Sequence, residues 1–125
     1  MVTLWGEVVG SNSERVVADY FSRSGIRYVY EQPAVSRWGF RRISRPDFNL
    51  PDYGVYVEYW GLANLPDGPA RLRYEKSRRW KMEQYSSNGI KIVSLYPCEL
   101  ANLDTFFRFK LDQLVGNIPS FRLAA

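Results

Sequence analysis

Residues 45–61, RPDFNLPDYGVYVEYWG, set two short apolar runs on either side of a Pro-Asp-Tyr-Gly turn. Turn residues of this kind between alternating hydrophobic runs predict a β-hairpin. Centring the turn on Asp52 and Tyr53 pairs Leu50 with Val55, Phe48 with Val57, and Asp47 with Glu58. Period-two alternation then sends Phe48, Leu50, Val55 and Val57 to one face, and Asp47, Asn49, Tyr56, Glu58 and Trp60 to the other. Directly opposed residues have Cβ atoms about 5 Å apart. Two carboxylates at that distance repel unless one holds a proton or a cation lies between them. A hard divalent ion, Mg²⁺ or Mn²⁺, suits such oxygen ligands, with water and phosphate oxygens completing its shell. The alternative is a register off by one residue, with both acids merely facing solvent.

Upstream, SNSERVVADYFSRSG carries Val16, Val17, Tyr20 and Phe21 at helical spacing and Gly25 as a stop, which predicts a helix over 12–24. IRYVYE reads as a strand and QPAVSRWGFRRISR as a loop or irregular excursion. Downstream, GLANLPDGPA is turn-rich, and RLRYEKSRRWKMEQYSSNG reads as a helix closing at Asn88 and Gly89. IKIVSLYP is a strand that Pro97 ends. NLDTFFRFKLDQLV puts Leu103, Phe106, Phe107, Leu111 and Leu114 on one helical stripe, with Asn102 as its cap. The predicted order is α-β-β-β-α-β-α, an α/β chain with a mixed sheet flanked by helices.

With 125 residues the chain has the length of one domain, 1–125, able to bury a modest core. Hydrophobic residues at 46% and charged residues at 24% describe a folded chain rather than a disordered tail. No apolar run approaches membrane-spanning length, so no membrane partner is expected. The start, MVTLWGEVVG, lacks the basic region and apolar run of a signal peptide, and the single cysteine, Cys98, has no internal partner. Both point to an intracellular, cytoplasmic setting. There are no histidines, which excludes Ser-His triads, Cys-His dyads and histidine-ligated zinc. The net charge of +4 is concentrated. Arg37, Arg41, Arg42 and Arg45 fall in one loop-like segment, and Arg71, Arg73, Lys76, Arg78, Arg79 and Lys81 in one helix. Basic clusters interleaved with aromatics suit a phosphate backbone; the plainer alternative is a solvated helix face beside a charged loop.

RPDF followed after a short turn by VYVEYWG resembles the PD-(D/E)XK nuclease superfamily, and the likeness in element order covers nearly the whole chain. It implies a restriction-endonuclease-like core. The family's PD corresponds to Pro46 and Asp47 and its acid to Glu58; its usual lysine, two residues further on, is Trp60 here. WKMEQY is similar to the variant in which the lysine has moved to the following helix, as in nuclease-like domains found with some helicases, giving matches at Asp47, Glu58, Gly61, Lys81 and Tyr85. Helical spacing puts Tyr74, Arg78, Lys81 and Tyr85 on one face, and Lys76 one turn earlier is the second candidate for the lysine. The family's glutamate on the first helix matches Glu14, which also completes a capping box with Ser11. Glu31 and Gln32 are weaker candidates for the edge of the site.

The resemblance implies a Mg²⁺- or Mn²⁺-dependent nuclease acting on DNA in repair, recombination or replication. Asp47, Glu58 and Glu14 would be metal ligands, with Lys81 acting on the water or the transition state. Arg37, Arg41, Arg42, Arg45, Arg78 and Tyr85 would contact DNA. A chain this small needs a second copy or a partner to cut both strands, so a homodimer is one expectation. A helicase or other repair protein as partner is another. Two readings from other classes compete: a binding module that keeps the fold without turnover, for which Trp60 speaks, and a protein-interaction domain using its surplus aromatics as a contact patch.

Overall fold

The computed structural model describes residues 1–37, 39 and 41–116. Its elements run α1 (Asn12–Arg23), β1 (Val29–Tyr30), β2 (Ala34–Val35), β3 (Arg42–Ser44), β4 (Phe48–Leu50), β5 (Val55–Tyr59), α2 (Pro69–Ser87), β6 (Lys91–Leu95), a 3-10 turn over Pro97–Asn102, and α3 (Leu103–Val115). Four strands form a mixed sheet in the order β1-β4-β5-β6. The first three are antiparallel neighbours, and β6 lies parallel to β5 because α2 carries the chain back across the sheet. The hairpin register is the expected one, Phe48 with Val57 and Leu50 with Val55. Gly54, at φ 65, supplies the left-handed residue that closes its turn.

The alternation along the hairpin builds three layers. Phe48, Leu50, Val55 and Val57 join Val93 and Leu95 in one core with Val17, Phe21, Leu103, Phe107 and Leu111 from α1 and α3. The Phe21 ring meets Phe48 and Phe107 edge-on at 5.4 and 5.2 Å. On the opposite face α2 covers the sheet through Tyr85, with Met82 and Tyr56 packed around it. Burial of each large side chain contributes about 1.5–3 kcal/mol, so the sheet is clamped between α1 with α3 on one side and α2 on the other.

Helix ends follow local chemistry. Ser11 accepts from the Glu14 N–H at 3.1 Å to cap α1. Pro69 opens α2 behind Gly68, and α2 closes at Asn88, followed by Gly89 at φ 68. At α3 the expectation is corrected: Asn102 stands at the N-cap but its side chain makes no capping hydrogen bond, because the 3-10 turn already leads into the helix. Phe106 is also 37% exposed, at the margin of the apolar stripe.

The expected element order needs a second correction. Segment 32–45 contains a two-stranded antiparallel ribbon, β2 with β3, where an irregular excursion was expected. Its stability is tertiary: Ala34 and Ile43 are buried against Tyr85, and Tyr56 O–H donates to the Pro33 carbonyl at 3.4 Å. Among the described residues no helix is long and apolar enough to cross a membrane.

Candidate active site

Asp47 follows the buried Pro46 immediately before β4, and Glu58 stands opposite in β5. The Asp47 N–H donates to Glu58 Oε1 at 3.3 Å, and the Tyr59 N–H donates to Asp47 Oδ2 at 2.6 Å. The two acids therefore sit side by side, each held by a main-chain donor of the other strand. Glu58 is only 5% exposed. Its second oxygen accepts from the Tyr85 O–H at 3.0 Å, and Tyr85 in turn shares a short hydrogen bond with the Ser44 hydroxyl.

Burial and like charge act on this pair together. Burial pushes the Asp47 carboxyl up to about 8; the Tyr59 N–H opposes the rise, and the charges of Glu58 and Glu14 add to it. Burial also raises Glu58, against the Tyr85 hydroxyl, the charge of Lys81 and the Asp47 N–H. None of the ion pairs among the described residues uses Glu14, Asp47 or Glu58. Three acids that share no direct ion pair and have only the more distant charge of Lys81 acting on Glu58 are what a metal cation, or a proton, would relieve.

Glu14 arrives from the first turn of α1, where its carboxylate accepts from the Ser11 hydroxyl at 3.1 Å and from the Tyr30 hydroxyl at 3.2 Å. The Gly10 N–H donates to Tyr30 Oη at 3.0 Å, and a Cβ at residue 10 would come within 2.8 Å of Glu14 Oε2. Glu14 thus serves as both capping residue and neighbour of Asp47. A cleft of about 350 Å³ opens here, lined by Glu14, Asp47, Tyr59, Gly61 and the start of α1. Two clefts of similar volume flank β6, but neither is lined by a carboxylate. Size does not single out the site; its chemistry does.

Lys81 comes from α2. Its ammonium lies 6.0 Å from the centroid of the Trp60 ring, and its charge is felt at Glu58. Arg78 approaches the same ring at 5.7 Å, and Tyr74 meets it edge-on at 6.4 Å. Trp60, where the resemblance would place a lysine, is 4% exposed and forms the floor under both cations; its indole N–H has no hydrogen-bond partner among the described residues. Lys76 is exposed on the other side of α2, so the helix phase favours Lys81.

The remaining candidates divide. Tyr85, expected to contact DNA, is 1% exposed and spends its hydroxyl on Glu58 and Ser44, so it orients a carboxylate and cannot meet a backbone. Burial and the Glu58 charge raise its pKa, which keeps it a donor. Arg78 is half-buried and committed to Glu75 at 3.5 Å and Tyr96 Oη at 3.3 Å. Arg37 and Arg41 are tied to the C-terminal end of α2, through Asn88 and Ser87 and through Gln84 respectively. Arg42 and Arg45 are exposed, Arg45 two residues before Asp47. Glu31 and Gln32 are exposed, and Glu31 touches Asp47 only through its backbone N–H, at 2.9 Å to the Asp47 carbonyl.

Sequence reasoning missed Tyr30, Ser44 and the Tyr59 N–H. Tyr30 had a signal, since alternation from the core residue Tyr28 sends it toward α1; Ser44 had none, because its strand exists only through contact with α2. Among the described residues no group of three or more Cys, Asp or Glu is gathered closely enough to form an all-protein metal cage. No family model, curated protein or solved structure matches the chain.

Proposed function

We propose that the chain is a metal-dependent nuclease that hydrolyses DNA phosphodiester bonds on a restriction-endonuclease-like core. The observation that carries this reading is the Asp47–Glu58 pair, two largely buried carboxylates abutting across a hairpin with no ion-pair partner among the described residues. The mixed sheet supports it too, with an antiparallel β1-β4-β5 unit joined to a parallel β6 through α2.

Asp47 and Glu58 would hold Mg²⁺ or Mn²⁺, with Glu14 reaching it through water. Mg²⁺ is ordinarily held by one or two carboxylates together with water and substrate phosphates, so a two-carboxylate site without a full protein cage fits the ion. When bound, such an ion lowers the pKa of its water and stabilises charge on the phosphodiester. The chain's own groups do the rest. The Tyr59 N–H and the Tyr85 O–H each hold one carboxylate oxygen in place and oppose the rise in pKa that burial causes, so that a bound cation would displace the remaining proton. Lys81, within electrostatic reach of Glu58 and resting over Trp60, neutralises negative charge developing on the phosphorane. Arg42 and Arg45 hold the backbone beside the cleft.

Mg²⁺- or Mn²⁺-dependent cleavage of linear, nicked and branched DNA tests the reading. Asp47→Ala and Glu58→Ala are expected to abolish cleavage with the fold intact, Lys81→Ala to reduce it on the order of 100-fold, and full activity in the first two sinks the reading. An anomalous peak between Asp47 and Glu58 in a Mn²⁺-soaked crystal would report on the ion without knowledge of the substrate. The role in repair, recombination or replication, a homodimer and a helicase partner belong to the same proposal. The second reading, a nucleic-acid-binding module without turnover, is favoured by one feature, the buried indole of Trp60 at the usual lysine position. DNA binding with no cleavage in either metal selects it.

A further inference from the structure

The outward face of α2 is explained neither by the fold nor by the cleft. α2 runs for 19 residues and fully buries only Tyr85 among them. Its inward side carries Tyr74, Arg78, Lys81 and Tyr85. About 140° around the helix from Lys81 lies Lys76, with Arg73 one turn before it and Arg79 and Trp80 one turn after. All four are exposed, Trp80 by 49%, and the adjoining Leu72 is exposed by 72%.

Folding gives this face no purpose. Trp80 leaves 49% of its surface in water, and among the described residues it packs against no other ring. Among the described residues the ion pairs that involve α2 are Arg71 with Asp67 and Arg78 with Glu75, and Arg73, Lys76 and Arg79 take part in none. Glu83 is the acid that shares their face. Three cations within about 9 Å along the axis repel one another, so an external polyanion is their natural complement. The exposed aromatic favours one kind of polyanion: it offers a stacking platform for an unpaired base, which an intact duplex does not present.

We infer that this face is a second nucleic-acid site, which takes a single strand with its phosphates along Arg73, Lys76 and Arg79 and one base stacked on Trp80. The inference goes beyond the cleft. Asp47 and Glu58 are on the side of α2 that faces the sheet, so a nucleotide held there and a strand held here would be different parts of a substrate, and strand binding here does not depend on cleavage.

The test is fluorescence anisotropy of a labelled oligothymidylate with the full chain in EDTA, titrated at several salt concentrations. Trp80→Ala is expected to weaken binding about tenfold. The combined Arg73→Gln, Lys76→Gln and Arg79→Gln variant is expected to lower the log–log salt slope by about 2, from three single-strand phosphate contacts. All four positions are exposed, and far-UV melts should match wild type. Unchanged affinity in either variant overturns the inference, as does a wild-type chain that binds polyglutamate and not the oligonucleotide. Strand binding in EDTA from a chain that cleaves nothing in Mg²⁺ or Mn²⁺ would remove the nuclease reading and leave this one standing.

Discussion

Replacing Asp47 by asparagine should make the metal-free protein more stable at pH 8 while it ends cleavage. In the folded chain the Asp47 carboxyl keeps its proton up to about 8, whereas its ordinary value is 3.8. Its stabilising contribution is complete below the lower value and is lost as pH rises through the higher one, so wild type weakens across that window. Each tenfold change in proton affinity is about 1.4 kcal/mol, which bounds the effect at about 6 kcal/mol. Water at the mouth of the cleft and an effective dielectric near about 20 reduce it to about 2 kcal/mol. Asparagine keeps the shape and the oxygen that accepts from the Tyr59 N–H, and it removes the charge that Glu58 and Glu14 oppose. For a domain of this size about 2 kcal/mol is roughly 8 °C in melting temperature. Scanning calorimetry in EDTA at pH 4.5 and pH 8 reads it directly: Asp47→Asn should melt above wild type at pH 8, and the gap should close at pH 4.5. Mg²⁺ at ten times its dissociation constant should then restore about 1.4 kcal/mol to wild type at pH 8 and nothing to the variant. A variant that melts at or below wild type at pH 8, or a gap of equal size at both pH values, refutes the account of the carboxylate pair.

Three further outcomes follow from particular contacts. Tyr85→Phe removes the hydroxyl that donates to Glu58 and bonds Ser44, so urea denaturation should show a loss of about 1–2 kcal/mol. The acid limb of the cleavage pH profile should move upward as well, because Glu58 loses a bond to its ionised form. Lys81→Ala should lower single-turnover cleavage on the order of 100-fold, whereas Lys76→Ala, on the far side of α2, should stay within about twofold of wild type; equal losses would mean that helix phase does not select the lysine. Phe21→Ala opens a cavity between Phe48 and Phe107 and should remove about 3–5 kcal/mol in urea titration, a large part of an ordinary domain's stability.

How much of this was legible in advance depended on whether the deciding forces were local. The α1 cap at Ser11 and the α2 end at Asn88 and Gly89 were readable because their partners lie within one turn. The hairpin register was readable for a related reason: a slip of one residue would have taken Phe48, Leu50, Val55 and Val57 out of the core. Asn102 shows the limit of that reasoning, since a suitable residue in the capping place is not a cap once the preceding 3-10 turn leads into the helix. The ribbon of β2 and β3 was hidden because strands of two and three residues are too short to show an alternation of their own and are held by contact with Tyr85.

The amino-acid sequence by itself determined the hairpin, its two faces and the meeting of Asp47 with Glu58, because turn chemistry and period-two alternation act over a few residues. It also determined the phase of α2, and so which basic residues share a side. Only the tertiary structure decided what those sides meet. Packing α2 onto the sheet buried Tyr85 beneath Glu58, set Lys81 over Trp60, and left Arg73, Lys76, Arg79 and Trp80 in solvent. Burial, which no local pattern reports, is what raised the two carboxylates and turned a pair of acids in a strand into a candidate site for a cation.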